Sequence, residues 1–124
     1  MPQGKRVMVI EDDKFLSSLI KARLEKDGYT VIQAFDGGEA IEFLRKEKPD
    51  LITLDLVMPR VTGFEVLQAI SITPGLERVP VVILSNLAQE SDVEKARQLG
   101  AQEYFVKVKI SIDDLIGKIE ALAH

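Results

Sequence analysis

Short apolar runs alternate along the chain with longer stretches in which apolar residues recur every three or four positions. The runs have the length of buried strands and occupy residues 7–10, 29–34, 51–54, 81–84 and 104–106. The longer stretches have the spacing of amphipathic helices, with stripes at Phe15, Leu16, Leu19, Ile20 and Leu24; Ala40, Ile41 and Leu44; Phe64, Leu67 and Ile70; Val93, Ala96 and Leu99; and Ile112, Leu115, Ile116, Ile119 and Leu122. We therefore predict five strands that alternate with five helices, of which the fourth helix has a thin apolar stripe.

This alternation predicts an α/β fold with a parallel sheet. The runs "VMVI", "LITL" and "VVIL" are continuously apolar, as in strands buried on both faces, so strands 1, 3 and 4 are expected at the centre. Strands 2 and 5 mix in polar residues and are expected at the edges. The strand order 2-1-3-4-5 satisfies both conditions and gives a doubly wound, flavodoxin-like (βα)5 fold. We see no linker or repeat and expect one domain over residues 1–124.

Composition narrows the function. A net charge of −4 disfavours direct binding to nucleic acid, which selects basic surfaces. The absence of cysteine excludes disulfides and thiolate metal sites, and the single histidine is the last residue, His124, which excludes a Ser-His-Asp triad within a core. No apolar run could span a bilayer, and the start of the chain lacks a signal-peptide pattern. We expect a cytoplasmic protein that does not bind membranes.

Acidic residues follow two of the central strands. Glu11, Asp12 and Asp13 follow strand 1, and Asp55 follows strand 3. In this strand order, ligands bind beyond the carboxyl ends of strands 1 and 3, where the order reverses. Carboxylates gathered there repel one another. A set of oxygen ligands favours a hard divalent cation such as Mg²⁺.

Two further polar residues follow the neighbouring strands, Ser85 after strand 4 and Lys107 after strand 5. A lysine can neutralise an anionic group, and a hydroxyl can donate a hydrogen bond to it. A metal, a lysine and a hydroxyl together are typical of a phosphoryl-transfer site. A carboxylate can itself be the nucleophile and form an aspartyl phosphate, and Asp55 is the candidate because strand 3 lies at the centre.

Each of these residues also has a purely structural interpretation. Asp13 is expected to be the N-cap of the first helix, Asp55 could open a turn, and Ser85 could cap the fourth helix. Lys107 could be a solubilising charge on an edge strand, and Tyr104 could belong to the core. Four strand ends that supply complementary groups to one crevice favour the functional interpretation.

Four segments, "VMVIEDD", "LITLDLVMPRVTG", "VPVVILSN" and "GAQEYFVKV", resemble the signature segments of the response-regulator receiver domain of two-component signalling. The resemblance covers nearly the whole chain in the right order and spacing. It implies that Glu11 and Asp12 are the acidic pair, Asp55 is the phosphoacceptor, Ser85 and Tyr104 are the switch residues, and Lys107 is the lysine of the site.

The resemblance also implies a mechanism and partners. A histidine kinase or a phosphotransfer protein would supply the phosphoryl group to Asp55, with Mg²⁺ held by Asp12, Asp55 and the backbone carbonyl of Val57, and with Glu11 acting through a water. Lys107 would contact the phosphoryl oxygens. Movement of the two switch residues would change the face formed by helix 4, strand 5 and helix 5, which a downstream protein would read. Such a domain is not an enzyme but assists its own phosphorylation and dephosphorylation.

Two positions depart from the family pattern. The family usually has proline after the lysine, in a cis peptide bond, whereas this chain has Val108. A cis bond before a residue other than proline costs about 2.5–4 kcal/mol, so we predict a trans bond between Lys107 and Val108 and a locally different turn. Asn86 follows Ser85, where the family usually has a small residue.

Three other functions are alternatives to a phosphorylated receiver domain. A phosphatase of the haloacid-dehalogenase kind normally needs an aspartate two positions after its nucleophile, where this chain has Val57. A flavin-binding protein of the same sheet order would need a loop rich in hydroxyl residues and glycine after strand 1, where this chain has three acids. A degenerate receiver that binds its partner without phosphorylation stays open.

Overall fold

The computed structural model describes residues 4–123, so His124 lies outside the described residues. Within these residues, five strands alternate with five helices as the hydrophobic pattern predicts. The strands are β1 (Arg6–Ile10), β2 (Thr30–Ala34), β3 (Leu51–Leu54), β4 (Val81–Ser85) and β5 (Glu103–Val106). The helices are α1 (Lys14–Lys26), α2 (Gly37–Lys46), α3 (Gly63–Ser71), α4 (Glu90–Gln98) and α5 (Ile112–Leu122), and a short 3-10 turn, Lys107–Lys109, follows β5.

The strands form one parallel sheet in the order β2-β1-β3-β4-β5. This order confirms the prediction, including the edge positions of β2 and β5. The register places Ile10 beside Leu54 and Leu54 beside Ile83, so β1, β3 and β4 end at the same edge of the sheet. The observed strand ends differ from the predicted ones by a single residue at most.

The two faces of the sheet pack against different helices. Because side chains alternate along a strand, Val7 and Val9 of β1 join the cluster that contains α1 and α5, whereas Met8 and Ile10 join the cluster that contains α2 and α3. The central strands are therefore buried on both sides, which explains their continuous apolar sequence. No helix among residues 4–123 is both long and apolar enough to cross a membrane.

Side chains fix where most of the helices begin. Asp13 accepts a hydrogen bond from the backbone N–H of Leu16 at 3.1 Å and caps α1 as predicted. Asp36 caps α2, Thr62 forms a capping box with Glu65 at the start of α3, and Ser111 caps α5. Gln89, at the start of α4, makes no capping hydrogen bond through its side chain.

Candidate functional site

Three carboxylates meet at the carboxyl end of the sheet. Glu11 and Asp12 follow β1 and Asp55 follows β3, and each offers one oxygen that lies within 4.8 Å of the others. Glu11 and Asp55 are buried, whereas Asp12 is exposed to solvent. The ligand set consists only of oxygens and includes a solvent-facing member, which fits a hard cation that keeps several of its waters.

Lys107 joins the two buried carboxylates. Its Nζ lies 2.9 Å from Asp55 Oδ2 and 2.9 Å from Glu11 Oε1. The lysine begins the 3-10 turn after β5, so its side chain reaches back across the end of β4 to β1 and β3. An ammonium group held 2.9 Å from the carboxylate of Asp55 can also neutralise an anionic group placed there.

The pKa values of this cluster reflect burial and charge. Burial raises the pKa of Glu11 to about 7, and the nearby charge of Asp55 adds to this rise, although hydrogen bonds from Lys107 and from the backbone of Asp13 oppose it. Burial alone would lower the pKa of Lys107, but its hydrogen bonds to Glu11 and Asp55 outweigh burial and raise it. One ammonium thus pairs with two of the three carboxyl groups in the cluster, and a divalent cation would relieve the remaining repulsion.

Backbone groups orient the carboxylates. The N–H of Asp13 donates to Glu11 Oε2, and the N–H of Val57 donates to Asp55 Oδ1, both at 3.1 Å. The Val57 peptide therefore lies directly beside the carboxylate of Asp55. Val57 itself is 54% exposed.

The loop between β4 and α4 forms hydrogen bonds with both predicted switch residues, Ser85 and Tyr104. Ser85 is fully buried, and its Oγ accepts a hydrogen bond from the backbone N–H of Leu87 at 3.4 Å. The hydroxyl of Tyr104, on β5, donates to the backbone carbonyl of Leu87 at 2.7 Å. A movement of either side chain would therefore act on the peptide groups of Leu87.

One residue of the site was not singled out from the sequence. Gly63, the first residue of α3, donates its N–H to the carbonyl of Leu56 at 3.0 Å. A Cβ at this position would lie 2.2 Å from the carbonyl oxygen of Asp55, so only glycine fits. The signal in the sequence was a glycine directly after Thr62, at a helix start that Thr62 already caps.

The turn after β5 has the predicted trans geometry. All peptide bonds between residues 4 and 123 are trans, including the bond between Lys107 and Val108. The 3-10 turn brings Lys107 to the carboxylates, and the side chain of Val108 is 80% exposed. Proline is therefore not needed here for the lysine to reach the site.

Comparison with known proteins assigns the chain to a protein family. The sequence profile of the response regulator receiver domain matches residues 7–120. The chain belongs to this family. A receiver domain is a signalling domain of two-component response regulators, and the family resemblance predicted from the sequence is thereby confirmed.

Individual relatives differ in length. The polar-differentiation response regulator DivK of Brucella anthropi is 33% identical over 117 residues, which are 94% of each chain. The probable transcriptional regulator ycf27 of Porphyridium aerugineum is 36% identical over 105 residues, and the match covers 85% of this receiver domain but 42% of that protein. The chain thus spans less than half of one curated relative and nearly all of another.

A solved structure has a metal in its cleft. The receiver domain of the sensor histidine kinase PA1611 from Pseudomonas aeruginosa, described with a magnesium ion coordinated in the active-site cleft, is 25% identical to this chain with a TM-score of 0.85. The match covers 97% of this receiver domain and 98% of that one. In the present chain, the cluster of Glu11, Asp12 and Asp55 fits a cation of this kind.

Proposed function

We propose that residues 1–124 form a single cytoplasmic receiver domain that accepts a phosphoryl group on Asp55 from the phosphohistidine of a histidine kinase or a phosphotransfer protein. The observation that carries the proposal is the position of Asp55. Its buried carboxylate lies among two other carboxyl groups, and its Oδ2 is 2.9 Å from Lys107 Nζ. This combination of an acidic cation site and a lysine beside one nucleophile is typical of phosphoryl transfer.

In the reaction, an oxygen of Asp55 attacks the phosphorus. The new P–O bond forms as the P–N bond to the donor histidine breaks, and the electron pair of that bond returns to the imidazole nitrogen. Asp12, Asp55 and the backbone carbonyl of Val57 would hold Mg²⁺, with Glu11 acting through a water, and the ion would neutralise charge on the phosphoryl oxygens. Lys107 would exchange its contact with Asp55 for one with a phosphoryl oxygen.

The signal would leave through the loop between β4 and α4. When the hydroxyl of Ser85 turns to donate to a phosphoryl oxygen, the N–H of Leu87 loses its acceptor. Tyr104 moves as well, because its hydroxyl is hydrogen-bonded to the carbonyl of Leu87. Tyr104 lines two grooves beside β5, of about 630 Å³ towards α5 and about 230 Å³ towards α4. A downstream protein would read this face, formed by α4, β5 and α5.

Labelling with acetyl phosphate and Mg²⁺ tests the proposal. The parent chain is expected to gain one phosphoryl group by intact mass, and Asp55→Ala none, because Asp55 is the proposed nucleophile and directly follows the central strand β3. Asp13→Ala is the matched control and should be labelled fully, since Asp13 serves as the cap of α1. Equal labelling of parent and Asp55→Ala would overturn the assignment. An unlabelled parent would favour a degenerate receiver that binds without phosphorylation.

A second prediction concerns the affinity of the proposed site for Mg²⁺. We expect weak binding, because the ion keeps several waters when few protein oxygens are offered. Asp12→Ala should weaken binding more than Asp13→Ala, because Asp12 contributes an oxygen to the cluster whereas Asp13 is engaged at the start of α1. Calorimetric titration with Mg²⁺ measures both affinities, and equal losses in the two variants would contradict the proposed ligand set.

A further inference from the structure

Helix α4 is attached to the domain by few contacts. Ala96 is its single buried residue, and Val93 is half-buried. Its N-terminus has no side-chain cap, unlike the starts of the other four α-helices among residues 4–123. A helix with so little buried apolar surface needs another contact to fix its position, because few apolar contacts give low local stability.

Lys95 supplies such a contact. Its Nζ lies over the ring of Phe64, on α3, at 4.4 Å from the ring centroid. None of the salt bridges among the described residues involves Lys95, whereas Glu94 pairs with Arg97 of the same helix. An ammonium at this distance over an aromatic face is attracted by the negative charge of the ring face.

Phe64 connects this contact to the phosphoacceptor. It follows Gly63, whose Cα approaches the carbonyl of Asp55 so closely that a Cβ would lie 2.2 Å from that oxygen. Phe64 also packs against the core cluster that contains Leu54 and Leu56, on either side of Asp55. The ring that holds Lys95 is therefore fixed relative to Asp55.

We propose that the contact of Lys95 with Phe64 positions α4 against α3, and that its strength sets how readily the loop between β4 and α4 moves when Asp55 is phosphorylated. Lys95 is a positioning residue, since it acts through α4 and touches no reacting atom. The second half of the proposal rests on the proposed function, because Ser85 and Leu87 must move for the phosphoryl group to be bound. A contact that restrains α4 opposes this movement.

Amide hydrogen exchange tests the first half. Lys95→Met, which keeps much of the aliphatic stem and removes the charge, should speed exchange in α4 about two- to fivefold, the range for an exposed cation–π pair. Phe64→Leu should have a similar effect, and the double variant should add nothing to either single change. Lys95→Arg should restore parental exchange, and Lys26→Met, which removes a distant surface charge, should leave α4 unchanged. Additive effects, or a failure of arginine to restore protection, would overturn the proposal.

Phosphorylation tests the second half. Lys95→Met should take up phosphate from acetyl phosphate about two- to fivefold faster than Lys95→Arg and the parent, because less restraint has to be overcome. If the parent and all variants are labelled at one rate, the coupling is wrong while the phosphoacceptor function stands. If none is labelled, the proposed function fails, and the exchange measurement still decides whether Lys95 holds α4.

Discussion

Replacing Gly63 by alanine is expected to destabilise the domain by about 1–3 kcal/mol, the usual cost of overpacking a buried site. The added methyl carbon would lie 2.2 Å from the carbonyl oxygen of Asp55 and 2.5 Å from the Cα of Leu56. Both are backbone atoms, which cannot rotate away as a flexible side chain could. The turn that carries Asp55 must therefore shift, and labelling by acetyl phosphate should slow as well.

A second glycine gives a control of opposite sign. A Cβ at Gly117, inside α5, would meet no atom within 4 Å apart from the neighbouring backbone of its own helix, so Gly117→Ala should stabilise the domain by about 0.5–1 kcal/mol through helix propensity. Urea unfolding monitored by circular dichroism measures both changes. A Gly63→Ala variant as stable as the parent would show that the close approach at Asp55 is not enforced by the fold.

The fold could be predicted from the pattern of apolar residues, because that pattern identifies each strand and helix of this chain. Continuous apolar runs marked β1, β3 and β4 as central strands, and parallel strands with acids at their ends bring those acids to one edge. Local contacts at a helix start could also be predicted from the sequence, since Asp13 occupies the position where an N-cap is expected. Positions that depend on the period of one element could therefore be predicted.

Contacts between distant elements could not be predicted. No pattern in the sequence indicates that Lys95 lies over Phe64, because the pairing depends on how α4 sits against α3. The predicted apolar stripe of α1 included Phe15, but Phe15 is 81% exposed. The helical period shows which residues share a face but not how far the neighbouring elements cover that face. The hydrogen bond from Tyr104 to the carbonyl of Leu87 could not be predicted either, because it depends on the conformation of the loop between β4 and α4.

The side chains near Asp55 also predict how long a phosphoryl group would persist on this residue. Hydrolysis requires a water placed in line with the P–O bond and a group that orients it. Val57 follows Asp55 by two residues, its backbone N–H donates to the Asp55 carboxylate, and the residue is 54% exposed. Leu87 follows Ser85 by two residues and donates its N–H to the Ser85 hydroxyl. Both side chains are apolar and can exclude a water but cannot orient one.

We therefore expect slow spontaneous loss of the phosphoryl group and faster loss from polar variants. Val57→Asn and Leu87→Glu should each hydrolyse about tenfold faster than the parent, which corresponds to ~1.4 kcal/mol of barrier, and the double variant should be faster than either. Decay of the labelled protein after removal of acetyl phosphate measures these rates by intact mass. Ile72→Asn is the matched control, because Ile72 is equally apolar and 75% exposed but lies just beyond the far end of α3. Equal decay of the polar variants and the parent would show that water access at Val57 and Leu87 does not set the lifetime, and the slow step would then lie in the geometry of Lys107 and the carboxylates.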